Sequence, residues 1–314
     1  MTEPPVEGFS APPGASGSDG ASGSFAASGS RSAVPRVLIE RARDLSDGRL
    51  TPAVPRDAAT VILLRRGDGA GPGTSVEAFL LRRTAELEFA PGACVFPGGS
   101  VDARDADPAI AQTRWIGPSP ADLGRLLGIA AEQALALVCA AVRETFEESG
   151  VLLAGPSPAE LVPDSAVLGR DRHALLDGTM SLGELLASRD LMLRADLLTP
   201  WARWITPEIS PRRFDTWFFA AALPPGQQAG LGATGPGESD SGAWWRPSAA
   251  LEAARAGQIT LLPPTAVTLA ELAAYPDIRG ILGERRVITP LMPTVVVEDE
   301  RTWLAMPQAV EYPL

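Results

Sequence analysis

The segment RETFEESGV, residues 143–151, sets Glu144, Glu147 and Glu148 at i, i+3 and i+4. A helix over this stretch projects all three carboxylates from one face, side by side. Like charges at these spacings destabilise a helix by roughly 0.2–0.5 kcal/mol per pair, so a fold that keeps them must supply something positive. A divalent cation is one such partner. Gly150 stands just beyond the glutamates, where helices commonly stop in a left-handed turn. The chain is therefore constrained to bring the end of one helix against a group that tolerates concentrated negative charge.

Upstream, FPGGSVD at 96–102 combines an apolar residue, a proline and two glycines. It reads as a strand ending in a tight loop whose backbone groups lie open to a ligand. Strand, glycine loop, acidic helix and glycine stop together resemble the signature of the Nudix hydrolase family: Gly, five residues, Glu, seven residues, then Arg-Glu-apolar-X-Glu-Glu-X-Gly-apolar. Gly99 fits the opening glycine, Asp105 stands where the family has Glu, and Arg143, Glu144, Glu147, Glu148, Gly150 and Val151 fit the second half. Thr145 replaces an aliphatic residue, and 37 residues separate Asp105 from Arg143 where the family pattern has seven, a difference of 30. This split box, with FAPGACVFPGGSVD and PRRFDTWFF, resembles the peroxisomal coenzyme A diphosphatases and their bacterial relatives.

The resemblance implies an α/β fold, a Nudix α/β/α sandwich with a mixed sheet and helical insertions. It also implies metal-dependent hydrolysis of a pyrophosphate bond in a nucleoside diphosphate conjugate. By resemblance the metal ligands are Glu144, Glu147, Glu148 and the carbonyl of Gly99, and hard oxygens of this kind suit Mg²⁺ or Mn²⁺. Arg143 reads either as a surface partner of Glu147 or as a planar fork that orients the carboxylates. Family members commonly add a carboxylate from outside the box, a place that fits Glu238, with Asp240 as competitor. The general base is then Glu144 or Glu238. Arg82, Arg83, Arg212 and Arg213 are candidates for binding substrate phosphates. The branch points to coenzyme A or acyl-CoA, cleaved to 3′,5′-ADP and (acyl-)4′-phosphopantetheine. ADP-ribose or NADH is the alternative, and a Nudix-fold regulator that binds ligand without catalysis is a second. Three retained, mutually repelling carboxylates disfavour the regulator.

Composition narrows the partners. A formal net charge of −11 argues against nucleic acid or an anionic membrane surface. With 314 residues and 45% apolar content the chain can build a proper core. Cys94 and Cys139 lie in apolar patterns and read as buried free thiols, which suits a reducing cytoplasm. His173, the one histidine, leaves no histidine-rich metal site to build. No run of 18 uncharged apolar residues and no basic leader is present, and EYPL is not a peroxisomal address, so neither membrane nor export is expected. A monomer or homodimer acting on a small nucleotide-type substrate is the resulting picture.

Residues 1–34, rich in Gly, Ser, Ala and Pro, read as a disordered tail. A single domain over 35–314 follows, with helical insertions at about 106–135 and 157–195. Strands are expected at 59–64, 78–81, 93–96, 214–220 and 243–245, and helices at 122–128, 130–149, 163–177, 181–188, 247–256 and 263–274. The second insertion is expected to cap the substrate. Trp204, Trp217 and Trp244 fall in strand patterns and read as core.

Overall fold

The computed structural model describes residues 36–67, 76–85, 90–231, 239–298, 301–307 and 312–314. The tail at 1–34 and Glu238 lie outside the described residues. Helix α1 (Arg36–Ser46) precedes strands β1 (Arg56–Arg66), β2 (Val76–Arg83), β3 (Ala93–Val95) and β4 (Gly98–Ser100). The first insertion holds α2 (Pro108–Thr113), β5 (Trp115–Ile116) and α3 (Pro120–Leu127), and leads into α4 (Ala131–Ser149). Ser119 and Asp122 close a capping box around the start of α3, and Gly128 ends that helix at φ 69°. After α4 the chain runs through β6 (Ala154–Gly155), and the segment read as the second insertion then holds α5 (Gly169–Leu176), α6 (Leu182–Ser188) and β7 (Met192–Arg194). Then come β8 (Thr199–Ile205), β9 (Phe214–Ala222), β10 (Ser239–Trp245), α7 (Pro247–Arg255), β11 (Thr260–Leu261), α8 (Pro263–Ala273), α9 (Ile278–Leu282) and β12 (Pro290–Leu291). A hairpin of β13 (Thr294–Glu298) and β14 (Arg301–Ala305) closes the order.

The main sheet runs β11-β3-β2-β1-β9-β8-β12, with β10 on β2 and β4 on β1. It is mixed: β1 lies parallel to β9 from Arg56↔Phe214 to Leu64↔Ala222 and antiparallel to its other neighbours. Central β1 is apolar in both alternations, as a strand covered on both faces must be. Ala59, Val61 and Leu63 pack against Leu137, Val138, Val142 and Phe146 of α4. Ile62 and Leu64 pack on the other face with Leu251 of α7 and Leu269 and Leu272 of α8. Leu185 and Leu186 of α6 and Leu193 of β7 belong to the α4 core, so the second insertion shares that core.

The sheet forks at β1. Its upper residues, Leu64–Arg66, pair with β2, whereas Ala58–Thr60 pair with β4. The glycine stretch expected to be only a loop is thus partly a strand, because Gly98 can lie close against the β1 backbone where a side chain would clash. Helix α2, the small β5-β7-β6 sheet and the β13–β14 hairpin were not legible in the periodicity. Among the described residues no single helix is long and apolar enough to cross a membrane.

Candidate active site

Helix α4 buries Leu135, Val138, Cys139, Val142 and Phe146 along one side and carries the glutamates in its last two turns. It stops at Gly150, φ 74°, whose N–H donates to Phe146 O at 2.9 Å. The remaining carbonyls of the final turn find partners from far along the chain. Arg172 of α5 donates from Nε to Glu147 O at 3.0 Å, and Gly230 N donates to Ser149 O at 2.8 Å. Carboxylates at a helix C-terminus oppose the macrodipole, so the buried cation of Arg172 is well placed to offset both.

Arg143 is the hub. Its Nε and Nη2 donate to the two oxygens of Asp105 at 2.9 and 2.8 Å, a bidentate fork between two buried groups. Nη1 donates to Glu144 at 2.8 Å and Glu147 at 3.1 Å, and Nη2 also reaches Ser100 O at 3.0 Å. One guanidinium therefore ties Asp105, the strand β4 and two box glutamates together. Of the two sequence readings of Arg143, the orienting fork is the observed one. Asp105 in turn accepts from Asp102 N at 2.8 Å, which fixes the short 3₁₀ turn at Ala103–Ala106 that follows β4.

Glu148 points the other way along the same helix face. Its Oε2 accepts the amide of Gly98 at 2.7 Å. Gly99 lies under Glu144: a Cβ built there would come within 2.5 Å of the Glu144 carboxyl carbon. The acids are thus folded against the glycine strand rather than splayed into solvent. Burial, reinforced by the charge of Glu147 and opposed by Arg143, pushes the Glu144 carboxyl up to about 7. Burial likewise raises Glu147, against the pull of Arg143.

Four carboxylates, Asp105, Glu144, Glu147 and Glu148, face the guanidiniums of Arg143 and Arg172. Hard oxygens with more negative than positive charge suit a hard divalent ion. Among the described residues, however, no three acids converge on one point, because Arg143 takes Glu144 and Glu147 while Gly98 takes Glu148. The ligand set read from sequence shares one region without meeting at a single centre.

The other candidates are dispersed. Arg213 requires correction: it is buried and donates to Thr206 O, Ala53 O and Met292 S, so its donors clamp loops together instead of facing a phosphate. Arg212 is exposed on the same loop. Arg82 and Arg83 end β2, half-buried, with Arg82 opposite Ser241 of β10. Asp240 accepts from the hydroxyl of Ser241. His173, exposed on α5, pairs with Asp177 at 3.2 Å. Trp204 and Trp217 are buried in the core as expected, and Trp244 is half-buried beneath Arg65. Arg172 was missed, since nothing in RDRHALLDG marks which of its charges folds back onto another helix.

A model described as the NUDT19 Nudix domain matches residues 121–272, a span that includes the whole acidic helix end. The acyl-coenzyme A diphosphatase NUDT19 of Homo sapiens is 30% identical over 247 residues, covering 67% of this chain and 64% of that protein. Its Xenopus laevis counterpart is 28% identical over 249 residues, covering 65% and 62%. The crystal structure of a NUDIX hydrolase from Alicyclobacillus acidocaldarius superposes with a TM-score of 0.59 at 27% identity, covering 75% of this chain and 98% of that one. The chain belongs to the Nudix family. Its Nudix box is discontinuous, with α2 and α3 inserted between Asp105 and Arg143, and the buried pair of those two residues joins the halves. The chain spans less than two thirds of the length of the Homo sapiens and Xenopus laevis relatives.

Proposed function

We propose that this Nudix protein hydrolyses the pyrophosphate bond of a nucleoside diphosphate conjugate, with coenzyme A or acyl-CoA as the preferred substrate. The observation that carries this reading is the anchoring of Glu144, Glu147 and Glu148 between Arg143 and the Gly98–Gly99 strand. The names of the relatives support the choice of coenzyme A.

Glu144, Glu147, Glu148 and the carbonyl of Gly99 would hold divalent ions, Mg²⁺ or Mn²⁺. Bound there, an ion supplies charge neutralisation of the diphosphate oxygens. Arg143 keeps the acids turned toward β4. Glu144, or Glu238 in its place, takes the proton of water as the water oxygen bonds to phosphorus. The bridging P–O bond breaks, and its electron pair leaves on the departing phosphate. Arg83, Arg82 and Arg212 remain candidates for phosphate contact, and the insertions are read as parts of the same domain. Cys94, pushed up to about 11 by burial, stays a thiol.

The test is a substrate panel with Mg²⁺ or Mn²⁺: coenzyme A, hexanoyl-CoA, ADP-ribose, NADH and diadenosine polyphosphate, with products identified by mass. Release of 3′,5′-ADP with 4′-phosphopantetheine supports the reading. Preference for ADP-ribose removes the coenzyme A assignment, and no cleavage of any member removes the hydrolase.

A further inference from the structure

A cavity of about 190 Å³ opens on the sheet face opposite α4, where the fork between β4 and β2 leaves the sheet unfilled. Pockets that enclose a whole drug-sized ligand measure roughly 300–1,000 Å³, so this one holds part of a substrate. Its walls are Phe96, Trp204, Phe214, Phe218 and Leu262 with several prolines. Gly98 belongs both to this wall and to the acidic site, since its amide is the one held by Glu148. Cavity and carboxylates therefore lie on the two sides of one strand.

The polar groups in the lining are specific in kind. Apart from Arg83 and the indole of Trp204 they are threonines: Thr60, Thr206, Thr216 and Thr265. Among the described residues no carboxylate or amide side chain lines the cavity, so its side-chain hydrogen bonding comes from the hydroxyls, the indole of Trp204 and Arg83. The hydroxyls of Thr60, Thr216 and Thr265 have no hydrogen-bond partner among the described residues and are not sealed from the cavity. An apolar channel with isolated, open hydroxyls complements an aliphatic chain interrupted by single amides.

We infer that this cavity is the subsite for the pantetheine arm of the substrate, leaving the nucleotide half on the other side of the diphosphate. The inference rests on the proposed coenzyme A reading and names where its selectivity resides. Methyl-rich segments of the arm lie against Phe214, Phe218 and Leu262, and its amides pair with the threonine hydroxyls.

Leu262, half-buried at the N-cap of α8, is the position to fill. In the full chain with Mg²⁺ or Mn²⁺, Leu262→Trp is expected to lower the ratio of kcat/KM for coenzyme A to kcat/KM for ADP-ribose at least tenfold. Inhibition by 4′-phosphopantetheine weakens to the same degree, while that by 3′,5′-ADP stays within about twofold. Thr216→Val, nearly isosteric, guards against a misfolded Trp variant and is expected to weaken 4′-phosphopantetheine about three- to tenfold, the loss of one hydrogen bond to a buried amide. An unchanged ratio and unchanged inhibition in both folded variants overturn the subsite. So does selective loss of 3′,5′-ADP, which would place the nucleoside in the cavity. A wild-type chain that cleaves ADP-ribose but not coenzyme A overturns the subsite while leaving the hydrolase reading intact, and a chain that cleaves nothing on the panel fails that reading first.

Discussion

At the scale of single residues, the two glycines of β4 do different work. A Cβ at Gly98 would press on the Ala59 carbonyl and come within 2.7 Å of Thr60 Cα, which is backbone and cannot yield. At Gly99 it would meet only the end of the Glu144 side chain, which can swing away. Gly98→Ala is therefore expected to lower Tm markedly. Gly99→Ala should keep Tm within a few degrees while lowering kcat at least tenfold, read by thermal melts and turnover on the same samples. The glutamates and both glycines were legible in the sequence because their spacing is local. What they touch was not: the bidentate lock of Arg143 on Asp105 spans 38 positions, and Arg213, promising beside an apolar strand, is consumed by carbonyls no pattern reveals.

At the scale of elements, α4 is the part that holds charge in place, supported by Asp105 just ahead of the first insertion and by Arg172 from the second. Asp105 and Arg143 form a buried pair, and removing one member strands the other. Asp105→Ala should cost about 3–5 kcal/mol in a denaturant titration. The Glu144 carboxyl adds a pH signature. Its ordinary value of 4.5 is raised to about 7 in the fold, so between these limits the native state holds a proton that the unfolded chain has released. Stability in the presence of a chelator should thus fall as pH rises from about 5 to 7.5, and Glu144→Gln should flatten that slope in Tm measured against pH. The limits of α4 were readable to within one residue, since its apolar spacing and Gly150 are self-sufficient signals. The strand β4 was not, because a three-residue glycine-rich strand exists only by virtue of the neighbour it pairs with.

At the scale of the whole molecule, a forked mixed sheet separates two functions across one strand. The α4 face gathers the acids under the second insertion, which anchors to the helix end through Arg172. The opposite face, closed by α7 and α8, leaves the cavity beside Gly98. The segments that form strands and helices followed from apolar patterns, whereas their order in the sheet and the fork arise from tertiary pairing alone. The central claim is that these glutamates grip divalent ions against a diphosphate bridge, and one comparison tests it most directly: coenzyme A turnover with Mg²⁺ or Mn²⁺ by the wild-type chain and by Glu147→Gln. The account predicts a fall of about two to three orders of magnitude in kcat with Tm nearly retained, and equal rates in the two proteins would contradict it.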